Sequence, residues 1–130
     1  MTILIVGDSC IDEFVYGSIF RMSPEAPVPV FQPIKKTSNG GMSKNVYNNL
    51  IALGVSSNLI TNTEKIVKRR YVDDAHNQMV LRVDTNDVCE EIDEITRMHI
   101  CNNQYQDKTY DAIVISDYCK GFLSKTDIEL

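Results

Sequence analysis

Ile3-Leu4-Ile5-Val6-Gly7-Asp8, near the start of the chain, has a counterpart in Ala112-Ile113-Val114-Ile115-Ser116-Asp117 near its end. In both, four consecutive aliphatic residues stop at a small residue and a carboxylate. An unbroken apolar run of that length is the pattern of a strand buried on both faces, and such strands form parallel sheets covered by helices. Residues 57–60 form a weaker third run. Ligands of open parallel sheets bind beyond the carboxyl ends of the strands. Asp8, Asp12 and Asp117 are therefore candidates for one crevice, and Lys120 follows closely enough to join them.

Two helices are expected to cover this sheet. One follows Gly40-Gly41, carries Met42, Val46, Leu50 and Leu53 at helical spacing, and stops at Gly54, a residue suited to the left-handed C′ position. The other opens at Asp87, with Glu90 three residues on as a capping box, and places Val88, Ile92 and Ile95 on one face. Acidic residues in its first turns suit the positive end of the helix dipole.

Between these elements the rhythm changes to period two. Phe14-Val15-Tyr16 leads into Pro24-Glu25-Ala26-Pro27-Val28-Pro29-Val30-Phe31, whose prolines exclude helix and favour an edge strand. Residues 65–72 and 79–83 read as a hairpin closed by Asp73-Asp74-Ala75-His76-Asn77. These strands, within residues 14–38 and 65–84, form a second, smaller sheet. The fold class expected is α/β, a parallel-sheet core with a small β-sheet lid, in a single domain over residues 1–130.

The 130 residues carry 13 Lys plus Arg against 18 Asp plus Glu, a net charge of −5, which argues against a nucleic-acid partner. With 43% apolar and 24% charged residues the composition is that of a folded globular protein. No apolar run approaches the ~18 residues of a membrane span, so no membrane association and a cytoplasmic location are expected. Cys10, Cys89, Cys101 and Cys119 contain no C-x-x-C pair and His76 and His99 are isolated, so no metal site is expected. Residue chemistry alone leaves alternatives open. Asp8 and Asp12 also read as turn formers at strand ends, Asp117 as a turn or capping residue, and Gly40-Gly41 as a flexible turn. Lys68-Arg69-Arg70 reads as a solvated charged edge or as a contact for a substrate phosphate.

Gly7-Asp8-Ser9-Cys10-Ile11-Asp12-Glu13-Phe14-Val15-Tyr16-Gly17, followed by Ser23-Pro24-Glu25-Ala26-Pro27-Val28-Pro29-Val30, resembles the N-terminal half of the PfkB/ribokinase carbohydrate kinases. Within that family the resemblance is to the bacterial kinases of D-glycero-D-manno-heptose 7-phosphate. Three more stretches agree in the same order: Gly40-Gly41 with Asn45 and Ala52-Leu53-Gly54; His76-Asn77-Gln78-Met79-Val80-Leu81-Arg82-Val83-Asp84; and Ser116-Asp117-Tyr118-Cys119-Lys120-Gly121. The resemblance implies a ribokinase-like core with a lid over a sugar site, lids that pair in dimers, and transfer of the ATP γ-phosphate to a sugar hydroxyl with Mg2+. By matching position it implies that Asp12 hydrogen-bonds sugar hydroxyls, that Gly40, Gly41 and Asn45 contact the sugar, and that Asn77, Gln78 and Arg82 act from the lid.

The departures carry equal weight. Chains of that family are more than twice this length, and their catalytic base lies in a late G-x-G-D motif. Neither G-x-G-D nor G-x-x-x-x-G-K-[ST] occurs here, and a strand-helix stretch of the family is missing between Thr61 and Glu64. The expectation is a truncated ribokinase-like domain that keeps the sugar-binding and lid half. It would hold no catalytic residue, be inactive or weak as a kinase on its own, and lack most of the ATP and Mg2+ site. The alternative is a non-catalytic sugar- or sugar-phosphate-binding or regulatory oligomerising module. Expected partners are a sugar or sugar phosphate, a separate polypeptide carrying the kinase half, and a second copy docked through the lid or the open sheet edge. Unpaired edges and exposed apolar lid residues such as Val28, Val30 and Leu81 drive such pairing.

Overall fold

A computed structural model describes residues 1–129. Along the chain run β1 (Thr2–Val6), β2 (Ser9–Met22), β3 (Pro29–Met42), α1 (Ser43–Ala52), β4 (Ser56–Ile60), β5 (Val67–Asp73), β6 (Gln78–Thr85), α2 (Glu94–Cys101), β7 (Ala112–Ile115) and α3 (Lys125–Ile128). The strands form a parallel sheet in the order β4-β1-β7 and a second sheet in the order β3-β2-β5-β6. Both apolar runs are thus neighbouring parallel strands, with Leu4 beside Ile113 and Asn58. Leu4 and Ile5 are fully buried, and Leu4, Val6 and Ile60 pack with Ile92, Tyr110 and Phe122 in the main core. This is the expected α/β arrangement, a parallel-sheet core with a second sheet beside it.

The second sheet is built from a long β2–β3 hairpin, β5 parallel to β2, and β6 antiparallel to β5. Pro29 and Pro33 lie on β3, an edge strand where a missing backbone N–H is tolerated. The two sheets meet where the chain leaves β1 and enters β2. There Asn62 acts as a peptide surrogate: its Oδ1 accepts the Ser9 N–H at 2.7 Å, and its Nδ2 donates to Ser9 O at 3.3 Å and Glu64 O at 2.7 Å. Residues 61–66 run directly from β4 to β5.

Helix α1 ends as the sequence indicates. The Val55 N–H reaches Leu50 O and the Gly54 N–H reaches Ile51 O, both at 3.0 Å, with Gly54 at φ 77. This is the paired closure that a left-handed residue after a helix allows. The second helix differs from expectation. It starts at Glu94, not Asp87, with Asp93 as N-cap accepting the Thr96 N–H at 2.9 Å. The reason is tertiary: the N–H groups of Cys89 and Ile92 donate to Lys120 O and Phe122 O, each at 2.9 Å, which holds residues 87–92 extended against the loop after β7. Strand β5 is also internal, so Lys68-Arg69-Arg70 does not protect an edge. Among the described residues, no helix is long and apolar enough to cross a membrane.

Candidate functional site

A cavity of about 310 Å3 lies where the lid sheet meets the carboxyl end of β1. Strand β2 contributes Cys10 and Asp12, the end of β3 contributes residues 39–42, and the first turn of α1 contributes Asn45. Lys68 and Arg70 come from β5, Arg82 from β6 and Tyr118 from the loop after β7. Sheet register explains the grouping. Asp12 is in line with Asn39 and Lys68, and the next row on the same face aligns Phe14, Arg70 and Arg82. Period two sends Lys68 and Arg70 to the cavity and Arg69 to the opposite face, where it pairs with Glu13 at 2.6 Å.

The walls are strongly charged. Arg70 Nη1 donates to Asp12 Oδ1 at 2.5 Å, and its guanidinium lies 5.2 Å from the Phe14 ring centre. Arg82 grips Asp84 with two bonds of 2.7 and 2.6 Å. That pairing holds the Asp84 carboxyl below its ordinary value and raises the Arg82 guanidinium. Lys120 Nζ donates to Asp87 Oδ2 at 2.8 Å, a bond that raises the lysine, and Lys68 Nζ stands 3.9 Å from Asp87 Oδ1. Burial, then the nearby Asp12 carboxylate, pushes the Cys10 thiol upward. Gly41 allows this packing. A Cβ there would stand 2.9 Å from Asp12 Cγ and 2.7 Å from Cys10 Sγ, closer than atoms tolerate.

Of the residues singled out from sequence, Asp12, Gly40, Gly41, Asn45 and Arg82 line this cavity. Asn77, at φ 51, and Gln78 sit at the exposed turn between β5 and β6 and do not line it. Asp8 is fully buried and faces the backbone of the 118–122 loop instead of the crevice. Asp117 accepts the Cys119 N–H at 2.9 Å within a turn. Lys120 does not line the cavity and is bonded to Asp87. Asn39, Met42, Cys10 and Tyr118 line the cavity without having been candidates, and so do Lys68 and Arg70, which the sequence left open between a solvated charged edge and a phosphate contact. For Lys68 and Arg70 the signal was available in the alternation of the hairpin strand. Tyr118 depends on a loop path that no local pattern encodes.

Among the described residues, no cluster of three or more His, Cys, Asp or Glu side chains is arranged to hold a metal ion. The N–H groups of Tyr118, Lys120 and Phe122 are taken by Asp8 and do not face a phosphate.

No protein-family model matches the chain. The chain is 36% identical to bifunctional protein HldE of Sulfurimonas denitrificans, covering 95% of this chain and 31% of that protein. It is 32% identical to bifunctional protein HldE of Aliarcobacter butzleri, covering 94% and 31% respectively. The latter alignment spans 149 positions against the 130 of this chain, so the relative carries inserted residues. A Staphylococcus aureus crystal structure provisionally assigned as a phosphofructokinase superposes on 98% of this chain and 47% of its own, with a TM-score of 0.57 at 9% identity. The chain thus spans 31% of the length of these curated relatives. It is a homologue of bifunctional protein HldE over that stretch and shares the fold of that Staphylococcus aureus structure.

Proposed function

We propose that this chain is the acceptor-binding and lid portion of a sugar kinase, and that its cavity takes a sugar or sugar phosphate. The observation that carries this is the convergence of Asp12, Gly41, Asn45 and Arg82 on one cavity of about 310 Å3, a volume suited to a small polyol. Hydroxyls are recognised by groups that accept and donate at fixed angles, which the Asp12 carboxylate and the Asn45 amide provide. Lys68, Arg70 and Arg82 bring three cations to the same walls, so an acceptor that already bears a phosphate fits better than a neutral sugar. On this reading the chain alone is a weak or inactive kinase, because among the described residues no groups that activate a hydroxyl and stabilise the transferring phosphoryl group are assembled around the cavity. Four free cysteines suit a cytoplasmic setting.

Calorimetric titration with D-glycero-D-manno-heptose 7-phosphate, fructose 6-phosphate, ribose and ATP, each alone, tests the reading. Binding of a sugar phosphate without binding of ATP is the expected result. Tight ATP binding with no sugar binding would overturn it. A second reading, a non-catalytic oligomerising module, is favoured by the apolar far end of the lid, where Phe20, Met22, Val28 and Ile34 are exposed. On that reading the chain pairs with a second copy through the lid, and sedimentation at micromolar concentration gives a dimer.

A further inference from the structure

Asp8 has no exposed surface, and every partner of its carboxylate is a donor. Oδ2 accepts the N–H of Tyr118 at 2.7 Å and of Lys120 at 3.3 Å, while Oδ1 accepts the N–H of Phe122 at 3.3 Å and faces the Cys89 thiol at 3.8 Å. The main chain of the same residue works on the other wall of the cavity: Asp8 O accepts the Ser43 N–H at 2.9 Å, and Gly7 O accepts the Ser43 hydroxyl at 3.0 Å. Two backbone positions beside these contacts are strained. Met42, just before Ser43, has φ 59, and Cys119, between Tyr118 and Lys120, has φ 56. Side chains with a Cβ adopt that region only when their surroundings over-determine it.

We infer that Asp8 is the positioning residue of the cavity: through its carboxylate and carbonyl it holds the Tyr118 wall and the α1 wall in register, and it sustains the strained backbone at Cys119 and Met42. Asp8 touches no ligand. It acts through Tyr118 and through the start of α1, and it stands two and four residues before Cys10 and Asp12, which reach the cavity from β2. The link to ligand binding rests on the sugar-site reading above, whereas the anchoring of the loop does not.

Asp8→Asn keeps size and one acceptor but presents an NH2 group to backbone donors. Hydrogen exchange followed by mass spectrometry is expected to show at least tenfold faster exchange over residues 118–122, with β1 unchanged. The dissociation constant for heptose 7-phosphate is expected to rise at least tenfold. Adding Cys119→Gly, which adopts positive φ without strain, should recover at least threefold of that loss, a rescue that general destabilisation would not give. Unchanged exchange over 118–122, unchanged affinity, or no rescue would overturn the inference. Where the wild-type chain binds no sugar phosphate, the site reading fails and exchange alone decides whether Asp8 anchors the loop. Should Asp8→Asn fail to fold, Cys119→Gly by itself decides: a raised melting temperature supports held strain, and a lowered one refutes it.

Discussion

Replacing Gly41 by alanine puts a methyl group where the Asp12 carboxylate lies. The added carbon would stand 2.9 Å from Asp12 Cγ, against the ~3.5–4.0 Å of an unstrained carbon contact, so the carboxylate must retreat by roughly 0.6–1 Å. The 2.5 Å bond from Arg70 then stretches to the ~3.2 Å limit of an N–H···O bond. A charge-assisted bond contributes about 1.5–3 kcal/mol, discounted here to about 1 because the two side chains are 22% and 20% exposed. Stability should therefore fall by about 1 kcal/mol, or ~4 °C in melting temperature. A ligand hydroxyl loses its best-placed acceptor, and the dissociation constant should rise roughly 10- to 100-fold. Calorimetry with heptose 7-phosphate and thermal melts measure both effects. Gly54→Ala is the control: its φ of +77 strains an alanine, yet nothing stands within 4 Å, so stability should drop while affinity holds. Gly41→Ala with an affinity within twofold of wild type would show that the Asp12–Gly41 contact is not part of a sugar cradle.

Three further outcomes follow from the same geometry. Bonds from Lys36 and then Arg69 hold the Glu13 carboxyl below its ordinary 4.5, so its stabilisation is present above that pH and is lost as pH falls through the folded value. Melting temperature should be level from pH 7 to about 5 and fall below it; Glu13→Gln should flatten that fall, and an unaltered slope would refute the assignment. Iodoacetamide at pH 8 should label exposed Cys101 and Cys119 quickly, and Cys10 and Cys89 at least tenfold more slowly by peptide mass spectrometry. Cys10 is buried, and burial together with the Asp8 charge pushes the Cys89 thiol up to about 11. Comparable labelling of all four would contradict the packing. Phe20→Lys combined with Ile34→Lys should convert the proposed lid-paired dimer to a monomer in sedimentation, since both residues are exposed at the lid's far end. A dimer that persists would move the interface elsewhere.

Local chemistry already determined much of this molecule. Two unbroken aliphatic runs specify neighbouring parallel strands, but only β1 is buried: β7 is the outer strand of the sheet, and its Ile113 and Ile115 are 38% and 42% exposed, against the burial on both faces expected from its sequence. Gly54 ends α1 because it reaches the left-handed region without strain. Asp12 and Gly41 fall together because hairpin register is set by the strands that carry them. Asp8 is the contrary case. As a carboxylate after a strand it reads the same as Asp12, yet its partners lie 110 to 114 positions away, and only the path of the final loop turns it inward. The start of α2 was decided in the same way, since a cap at Asp87 and a cap at Asp93 are both available locally. Backbone bonds from residues 89 and 92 to the loop at 120–122 select the second. Strand identity is encoded by neighbours along the chain, whereas the direction of a buried carboxylate and the choice between competing caps are settled by donors that arrive only when distant segments pack.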